Sequence, residues 1–480
     1  MRNGVLIPIV LLGLVAACAT NPVTGRRELA FMSEAQEIAI AQESDAQIKG
    51  EMGVYNDPEL QAYVSDIGQR MARISERPQL PWRFTVVDVP AVNAFAVPGG
   101  AIYVTRGILP FLDSEAELAG VIGHEIGHVT ARHSAQQYTR QVSGQVGLLA
   151  LGIFVPQARP FGQLSGQALG VLFMKYGRDD ELQADRLAAR YEATLGWDPA
   201  GAPAFLSTLG RLAEAAGDRR GVPNWMSTHP EPLSRVRDIQ PTIDELKSAG
   251  SSFATNRDEW LRRVDGIVYG DNPEQGLARG SAFLHPVLRF RIDFPGQWEI
   301  ANNPQQVVAQ EPSGNALMLL RGVDQPQGQN IQEIARDSME TAGFRITEGE
   351  AATISGLDAY LGVYHGQIEG LGAVAMRAAY IRNDGQIYLV AGIVPPDGFG
   401  QADGAFLASI RSFRRLSAAE AEGIRPNRVD MYVVRTGDTW QSIAERSGGV
   451  VAPETLAIMN QATLATQPQL GARIKIVVGG

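Results

Sequence analysis

The five residues His124-Glu125-Ile126-Gly127-His128 combine the types and the spacing that metal-dependent hydrolysis needs. Residues four apart lie on the same face of an α-helix, about one turn apart, so both imidazoles can reach a single metal ion. Glu125 lies roughly 100° further round the helix, where its carboxylate can take a proton from a metal-bound water. The pattern predicts a hydrolytic zinc site, and the alternative is a solvated, charged helix face.

A catalytic zinc ion usually has three protein ligands and a fourth position open to water, so one ligand must come from elsewhere in the chain. Glu181 is the candidate, because Asp185 falls one turn after it on the same face of a predicted helix. One carboxylate can bind the metal while the other accepts the free N–H of a ligand histidine. The alternative is a helix N-terminus that collects acidic residues, which accounts for Asp179 and Asp180 better than for Asp185.

Two further histidines lie near this pattern in the sequence. His229 precedes Pro230, which disfavours helical backbone, so it is expected on a loop. Near the metal it could donate a hydrogen bond to the oxyanion of a tetrahedral intermediate, or bind the open metal position and close the site. A structural role in a helical N-terminal turn is the alternative. His133, nine residues after His124, would face the opposite side of a continuous helix and is predicted not to be a ligand.

The helix that must carry the two histidines is expected to be buried. Ser114 and Glu117 form a Ser-x-x-Glu capping-box pattern, which predicts a helix running through His128. Glycine costs about 1 kcal/mol relative to alanine inside a helix, a cost that close packing against another backbone can explain and solvation cannot. Three glycines stand at helical spacing here: Gly120, Gly123 and Gly127.

The surrounding residues predict an α-rich domain with a small sheet. Apolar periodicity predicts helices over 33–50, after Asp57-Pro58, and over 179–196, 199–216 and 230–248. Short β-rich stretches broken by turn residues run over Trp82–Asp88 and Ala91–Thr105. The apolar stretch Val146–Val155, below spanning length, could form with Phe161–Tyr176 a hydrophobic lid, a membrane-touching hairpin or two ordinary core helices.

Beyond residue 270 the sequence changes character. Residues 280–415 are rich in short apolar stretches and predict an α+β accessory domain, in which the isolated His285 and His365 are expected to be structural or on the surface. A linker over Leu416–Asn427 follows. Residues 428–480 resemble a LysM module, a strand-helix-helix-strand unit associated with N-acetylglucosamine glycans such as peptidoglycan. A packing module without glycan affinity is the alternative.

The first residues predict secretion and lipid attachment. An apolar run from Gly4 to Ala17 follows Met1-Arg2-Asn3, as in a signal peptide. It ends in Val15-Ala16-Ala17-Cys18, which resembles a lipoprotein lipobox with Cys18 as the acylated residue, and Cys18 is the only cysteine. The alternative is an ordinary signal peptide with an incidental cysteine. By resemblance to lipoprotein sorting, Ala19 favours the outer membrane, facing the periplasm.

The bulk composition bounds the remaining possibilities. The chain has 480 residues, too many for one hydrophobic core, so several domains are expected. The boundaries inferred are 1–18 for the signal peptide and lipobox, 21–265, 280–415 and 428–480. A net charge of -10 without any long basic run argues against nucleic-acid binding.

The combined motifs resemble the peptidase family of HtpX and the CaaX prenyl proteases. His-Glu-x-x-His is followed by Glu-x-x-x-Asp at Glu181 and Asp185. The segments Asn93–Gly100 and Thr228–Arg235 are similar to ones in the soluble periplasmic lipoprotein members. The resemblance covers about 21–265 and implies a zincin-type α+β fold. It also implies one Zn²⁺ held by His124, His128 and Glu181, with Glu125 as general base.

The expected function is therefore zinc-dependent endopeptidase activity towards misfolded or misassembled envelope proteins. Extended substrate is expected to add to a sheet edge through main-chain bonds, along a strand formed by Asn93, Ala94, Phe95, Ala96 and Val97. Two alternatives remain: a chaperone or assembly factor for outer-membrane proteins with restrained proteolysis, and a cell-wall binding protein tethered by the LysM-like module.

Overall fold

A computed structural model describes residues 18–29, 31–140, 175–216, 225–248, 252–324, 330–368 and 371–480. The chain divides into two compact units. The first comprises residues up to 49, 53–270 and 428–479, and the second comprises 271–427 with 50–52 and 480. The lid or hairpin predicted over Val146–Val155 and Phe161–Tyr176 lies, up to residue 174, outside the described residues, as does the predicted signal peptide up to residue 17. In the described part, no helix has the length and apolarity needed to cross a membrane.

The first unit is mainly helical. Its helices are α1 (Glu34–Met52), α2 (Pro58–Ile74), α3 (Glu115–Thr130), α4 (Arg178–Thr194), α5 (Gly201–Ala216), α6 (Trp225–Thr228), α7 (Pro232–Ser248) and α8 (Arg257–Val264). Its first strands are β1 (Cys18–Thr20), β2 (Arg27–Leu29), β3 (Arg83–Val87), β4 (Ala94–Val97), β5 (Ala101–Thr105) and β6 (Val268–Tyr269). The long helices begin and end within a few residues of the bounds expected from apolar periodicity.

Local sequence accounts for where the first helices begin. Ser33 caps α1 in a reciprocal capping box with Gln36, and Asp57 caps α2 with Pro58 in its first turn. At α3, Ser114 accepts the Glu117 N–H at 3.2 Å, but the Glu117 carboxylate accepts from Asp113 N–H at 3.0 Å instead of returning to Ser114. Only half of the predicted capping box therefore forms.

A three-stranded sheet lies beside α3. Its order is β3-β5-β4, with β3 parallel and β4 antiparallel to β5, so β4 is an edge strand among the described residues. Ala96 pairs with Ile102 in the β4–β5 register, and all four β4 residues are buried. The edge strand thus lies inside the unit.

Helix α3 is the centre of the first unit, and every one of its residues is buried. A Cβ added to Gly120 would lie 2.3 Å from Ala202 N in α5. The same addition at Gly127 would lie 3.0 Å from Ala184 Cα in α4, and Gly123 meets the same helix. The close backbone packing that the glycine spacing predicts is confirmed, and it brings α4 against the histidine-bearing face.

The second unit is built on strands. They are β7 (Leu277–Arg279), β8 (Ala282–His285), β9 (Phe290–Asp293), β10 (Glu299–Asn302), β11 (Gln306–Gln310), β12 (Leu317–Val323), β13 (Arg345–Ile354), β14 (Leu357–Ile368), β15 (Gly372–Asn383), β16 (Gln386–Val394) and β17 (Arg414–Arg415). The large sheet has the order β10-β11-β12-β16-β15-β14-β13, entirely antiparallel. Helix α9 (Ile331–Thr341) packs on one face and α10 (Phe399–Ser412) on the other, because alternate strand residues belong to two separate cores. A short helix, α11 (Ala418–Glu422), follows in the predicted linker.

The chain returns to the first unit at its end. Strand β18 (Asn427–Val433), helices α12 (Trp440–Arg446) and α13 (Pro453–Met459), and strand β19 (Arg473–Val478) follow in the expected strand-helix-helix-strand order. The strands pair antiparallel and form a sheet with β6. Lys475 Nζ donates to Leu112 O at 2.5 Å, and Gln461 Nε2 donates to Glu117 Oε2 at 3.0 Å. The terminal segment therefore shares its core with the residues that precede α3.

Candidate metal centre

Three elements bring four potential metal ligands together. His124 and His128 lie one turn apart on α3, Glu181 lies in the first turn of α4, and His229 directly follows α6. One donor atom from each lies within 4.8 Å of all the others, and all four residues are buried. The structure thus places the three expected ligands in one cluster and adds His229 to them.

The proton position of His124 leaves one of its electron pairs pointing into the cluster. His124 Nδ1 lies 2.9 Å from Asp185 Oδ1, and since a carboxylate accepts, the ring proton belongs on Nδ1. His124 Nε2 then presents a lone pair towards His128 Nε2 at 2.9 Å and His229 Nδ1 at 3.3 Å. Nitrogens this close need either a ring proton or a cation between them. Imidazole nitrogens with a carboxylate oxygen form a donor set that suits a divalent transition metal.

Burial keeps the histidines in the form that binds metals. It lowers the pKa of His124, and it lowers those of His128 and His229 well below the usual value. The neutral imidazole is the metal-binding form. Burial also raises the pKa of Glu181 to about 7, and the nearby Arg235 guanidinium acts against this rise. A carboxylate at this depth requires positive charge beside it.

Arg235 supplies part of that charge, and reasoning from the sequence did not single it out. Its guanidinium donates to Asp185 at 2.9 Å through Nε and at 2.6 Å through Nη2, while Nη1 lies 2.5 Å from Glu181 Oε2. Burial acts to raise the pKa of Asp185, yet Arg235 and His124 hold it well below its usual range. Arg235 therefore fixes the carboxylate that orients His124. The sequence did carry one signal for Arg235, since this residue ends the segment Thr228–Arg235, which resembles segments in the soluble periplasmic lipoprotein members.

Glu125 lies where a general base is expected, beside the cluster and not within it. Its Oε1 is 3.6 Å from His229 Nε2 and accepts no hydrogen bond from any described residue. Burial raises the pKa of Glu125 well above its usual value and the charge of Glu181 adds to the rise, while the Trp225 indole N–H, the Arg235 charge and the Ala96 N–H oppose it. A buried carboxylate with one free oxygen is suited to accept and release a proton.

The predicted substrate strand lies next to this base. Ala94, Phe95, Ala96 and Val97 form β4, and Asn93 precedes it with its N–H bonded to Thr105 Oγ1 at 3.0 Å. Because the Ala96 N–H contacts Glu125, the edge strand runs past the proton-accepting group. A chain added along this edge would pass the metal centre.

The other residues singled out in the sequence lie outside the four-ligand cluster. His133 is outside the four-ligand cluster but contacts it, since its Nδ1 is 2.9 Å from His128 Nδ1. In the second unit, His285 packs against Phe290, where burial lowers its pKa to about 4, and His365 lies on β14. Cys18 lies in β1, where its backbone pairs with Leu29.

Comparison with known proteins agrees with this geometry. Residues 58–243 match the model of peptidase family M48. The chain is also 30% identical over 347 residues to the beta-barrel assembly-enhancing protease of Yersinia pestis, a match that covers 68% of this chain and 70% of that protein. The chain belongs to peptidase family M48. All four potential ligands, Glu125 and Arg235 fall inside the M48 match, so this protein is a metallopeptidase and that prediction is confirmed.

Further relatives extend the similarity. The beta-barrel assembly-enhancing protease of Escherichia coli (strain K12) is 29% identical over 375 residues, covering 70% of this chain and 73% of that protein. The mitochondrial metalloendopeptidase OMA1 of Schizosaccharomyces pombe is 30% identical over 245 residues, covering 50% of this chain and 70% of that protein. This chain is thus similar both to bacterial proteases and to a mitochondrial metalloendopeptidase.

Proposed function

We propose that this M48 metallopeptidase is a zinc endopeptidase that faces the periplasm and degrades misfolded or misassembled envelope proteins. The observation that carries the proposal is the buried cluster of His124, His128, Glu181 and His229 with Glu125 beside it. Relatives named for enhancing beta-barrel assembly support the choice of substrate class.

The catalytic roles follow from the positions of the side chains. His124, His128 and Glu181 would hold one zinc ion, which supplies Lewis acidity towards water and the scissile carbonyl. Glu125 takes the proton of the attacking water through its free Oε1 and passes it to the leaving amine. Asp185, held by Arg235, keeps His124 in the tautomer that presents Nε2. Substrate pairs with β4, which runs beside Glu125.

His229 acts as a reversible brake in this proposal. Its Nδ1 lies 3.0 Å from Glu181 Oε1 and 3.3 Å from His124 Nε2, the place of a fourth ligand. A fourth protein ligand occupies the position that water needs. This geometry supports closure of the site over oxyanion stabilisation, and it suits restrained proteolysis beside folding envelope proteins.

Two substitutions test the function and the brake. Glu125→Gln should abolish peptidase activity on an unfolded substrate while retaining about one equivalent of zinc, because Glu125 is not a ligand. His229→Ala should raise the basal rate. A fall of about 10²-fold in turnover would instead assign His229 to the oxyanion, and undiminished activity in Glu125→Gln would contradict the mechanism.

Attachment to the outer membrane is the second part of the proposal. The lipobox-like Val15–Cys18 pattern supports acylation at Cys18. Mass spectrometry of the mature N-terminus should find a lipid there, and Cys18→Ser should move the protein into the soluble periplasmic fraction. An unmodified cysteine in the mature chain would contradict it.

A second candidate function belongs to residues 428–480. Their strand-helix-helix-strand order favours a LysM-like module that binds peptidoglycan and holds the protease near the wall. Pull-down of the full-length Glu125→Gln protein by purified peptidoglycan tests this. No enrichment over bare matrix would leave the module a packing element only.

A further inference from the structure

The Nδ1 atom of His128 has a different kind of partner from the Nδ1 atom of His124. The ring of His124 donates Nδ1–H to a carboxylate held by an arginine. No carboxylate oxygen among the described residues lies within hydrogen-bond distance of His128 Nδ1, which faces His133 Nδ1 at 2.9 Å. Because His133 lies outside the four-ligand cluster, a proton and not a metal ion must lie between these two nitrogens, so one ring donates and the other accepts. Between His124 Nε2 and His128 Nε2, also 2.9 Å apart, the proposed metal takes the place of that proton. Which ring donates decides whether His128 can bind a metal.

The two possible arrangements have opposite consequences. If His128 carries its proton on Nδ1, its Nε2 presents a lone pair towards His124 and Glu181. If His133 carries the proton on Nδ1 instead, the neutral His128 ring must carry its own on Nε2 and cannot be a ligand there. The metal-binding arrangement therefore requires the proton of His133 to be on Nε2.

The surroundings of His133 Nε2 select that arrangement. Gln183 Oε1 lies 3.0 Å from it, and an amide oxygen only accepts. Asp180 Oδ1 lies 4.0 Å from the same nitrogen, and a negative charge at this distance favours an N–H over a lone pair. His133 is fully buried, so water does not compete for the ring.

We infer that His133 and Gln183 are positioning residues that fix the tautomer of His128 and so set the affinity of the metal centre. The chain of bonds runs from His128 Nδ1–H to His133 Nδ1, and from His133 Nε2–H to Gln183 Oε1. Tyr176 stacks on His128 at 3.9 Å between ring centroids and holds the plane of its ring. This inference rests on the proposed zinc site.

The backbone explains how His133 reaches His128. Helix α3 ends at Thr130, and Arg132 then adopts a left-handed conformation with φ 62. Its side chain donates to Glu37 at 2.7 Å and to Met32 O at 2.6 Å, which holds the turn. A turn at 131–132 interrupts the helix before helical residues resume at His133, and it brings His133 against His128, which a continuous helix would not do.

The experiment measures zinc affinity of the full-length protein by competition with a chromogenic chelator. His133→Leu keeps much of the packing volume but removes the acceptor, and it should weaken zinc binding by about 10–100-fold. His133→Asn places an amide oxygen near the position of Nδ1 and should restore affinity to within about threefold of wild type. A packing role predicts the reverse order, so Leu binding as well as or better than Asn would overturn the inference.

Two variants of Gln183 provide a second measurement, at a position that is only half-buried. Gln183→Glu keeps an acceptor and should retain wild-type affinity, whereas Gln183→Leu should weaken it. Equal affinities in the two variants would overturn the role of Gln183 in the inference. Wild-type protein that binds no zinc, or His124→Ala that binds it fully, would instead contradict the proposed function.

Discussion

The two ends of helix α3 carry buried charge for different purposes. At the N-terminal end, Glu115 accepts from Trp197 Nε1 at 2.6 Å and from Asn256 Nδ2 at 2.7 Å. Glu117 accepts from the Asp113 N–H and from Gln461, both at 3.0 Å. The carboxylates here are paired with donors, as stability requires of buried polar groups.

At the C-terminal end the pairing is incomplete. Glu125 Oε1 accepts no hydrogen bond from a described residue, and the nitrogens of His124 and His128 face each other at 2.9 Å. Both ends are equally buried, so burial does not distinguish a structural from a catalytic cluster. The distinction is whether the protein's own groups satisfy the charges or leave them for a metal and a substrate.

The largest expected effect comes from removing a ligand. His124→Ala should lose zinc and reduce proteolysis by at least about 10³-fold, since it removes one ligand and one of the hydrogen-bond partners of Asp185. Glu117→Gln, at the other end of the helix, should retain zinc and activity. Metal analysis and a peptidase assay measure zinc content and activity in the two variants. Full zinc occupancy in His124→Ala would contradict the expected difference between the two ends of the helix.

Metal removal should loosen one end of the helix more than the other. After chelation, backbone amides of 124–131 should exchange about 10–100-fold faster, because the ion no longer links α3 to α4. Amides of 116–120 should change by less than about threefold. Hydrogen–deuterium exchange with mass spectrometry checks this, and an equal increase along the helix would show that the two ends open together.

Removing the buried ammonium at the N-terminal end should affect stability and leave metal binding unchanged. Lys475 is fully buried and its Nζ lies 3.4 Å from Asp113 Oδ1. Lys475→Met leaves this carboxylate and Glu117 less compensated and should lower the free energy of unfolding by about 3 kcal/mol. The control Lys247→Met breaks a surface pair with Asp198 at 2.7 Å and should cost less than about 1 kcal/mol. Equal losses in denaturant titrations would contradict the assignment.

The smallest expected effect is on the pH dependence of stability, and it comes from Glu117 at the N-terminal end of α3. Burial raises the pKa of Glu117 to about 7 from its ordinary 4.5. Between these values the folded state binds more protons than the unfolded state, so Glu117 lowers stability as pH rises through this window. Glu117→Gln should match wild type near pH 5 and gain on the order of 2 kcal/mol relative to it by pH 8. A pH-independent difference in unfolding free energy would contradict the raised pKa.

Local spacing predicted much of the site. His124, Glu125 and His128 follow from the geometry of one helical turn, and the Glu181 to Asp185 spacing follows from the same rule on α4. The contact of His133 with His128 was not predicted, because the prediction assumed that the helix continues past Thr130. The positive φ at Arg132 depends on bonds to Glu37 and Met32, about a hundred residues earlier in the chain.

By itself the sequence determined the chemistry: which groups could bind a metal, which could move a proton, and where helices begin. These depend on residue type and on distances of a few residues, which backbone geometry sets. Only the tertiary structure decided that His229 lies beside His124 and Glu181, that Arg235 holds Asp185, and that Lys475 contacts Leu112 and Asp113 just before α3. Each of these contacts joins residues far apart in the chain, whose meeting depends on how whole elements pack and not on any local preference.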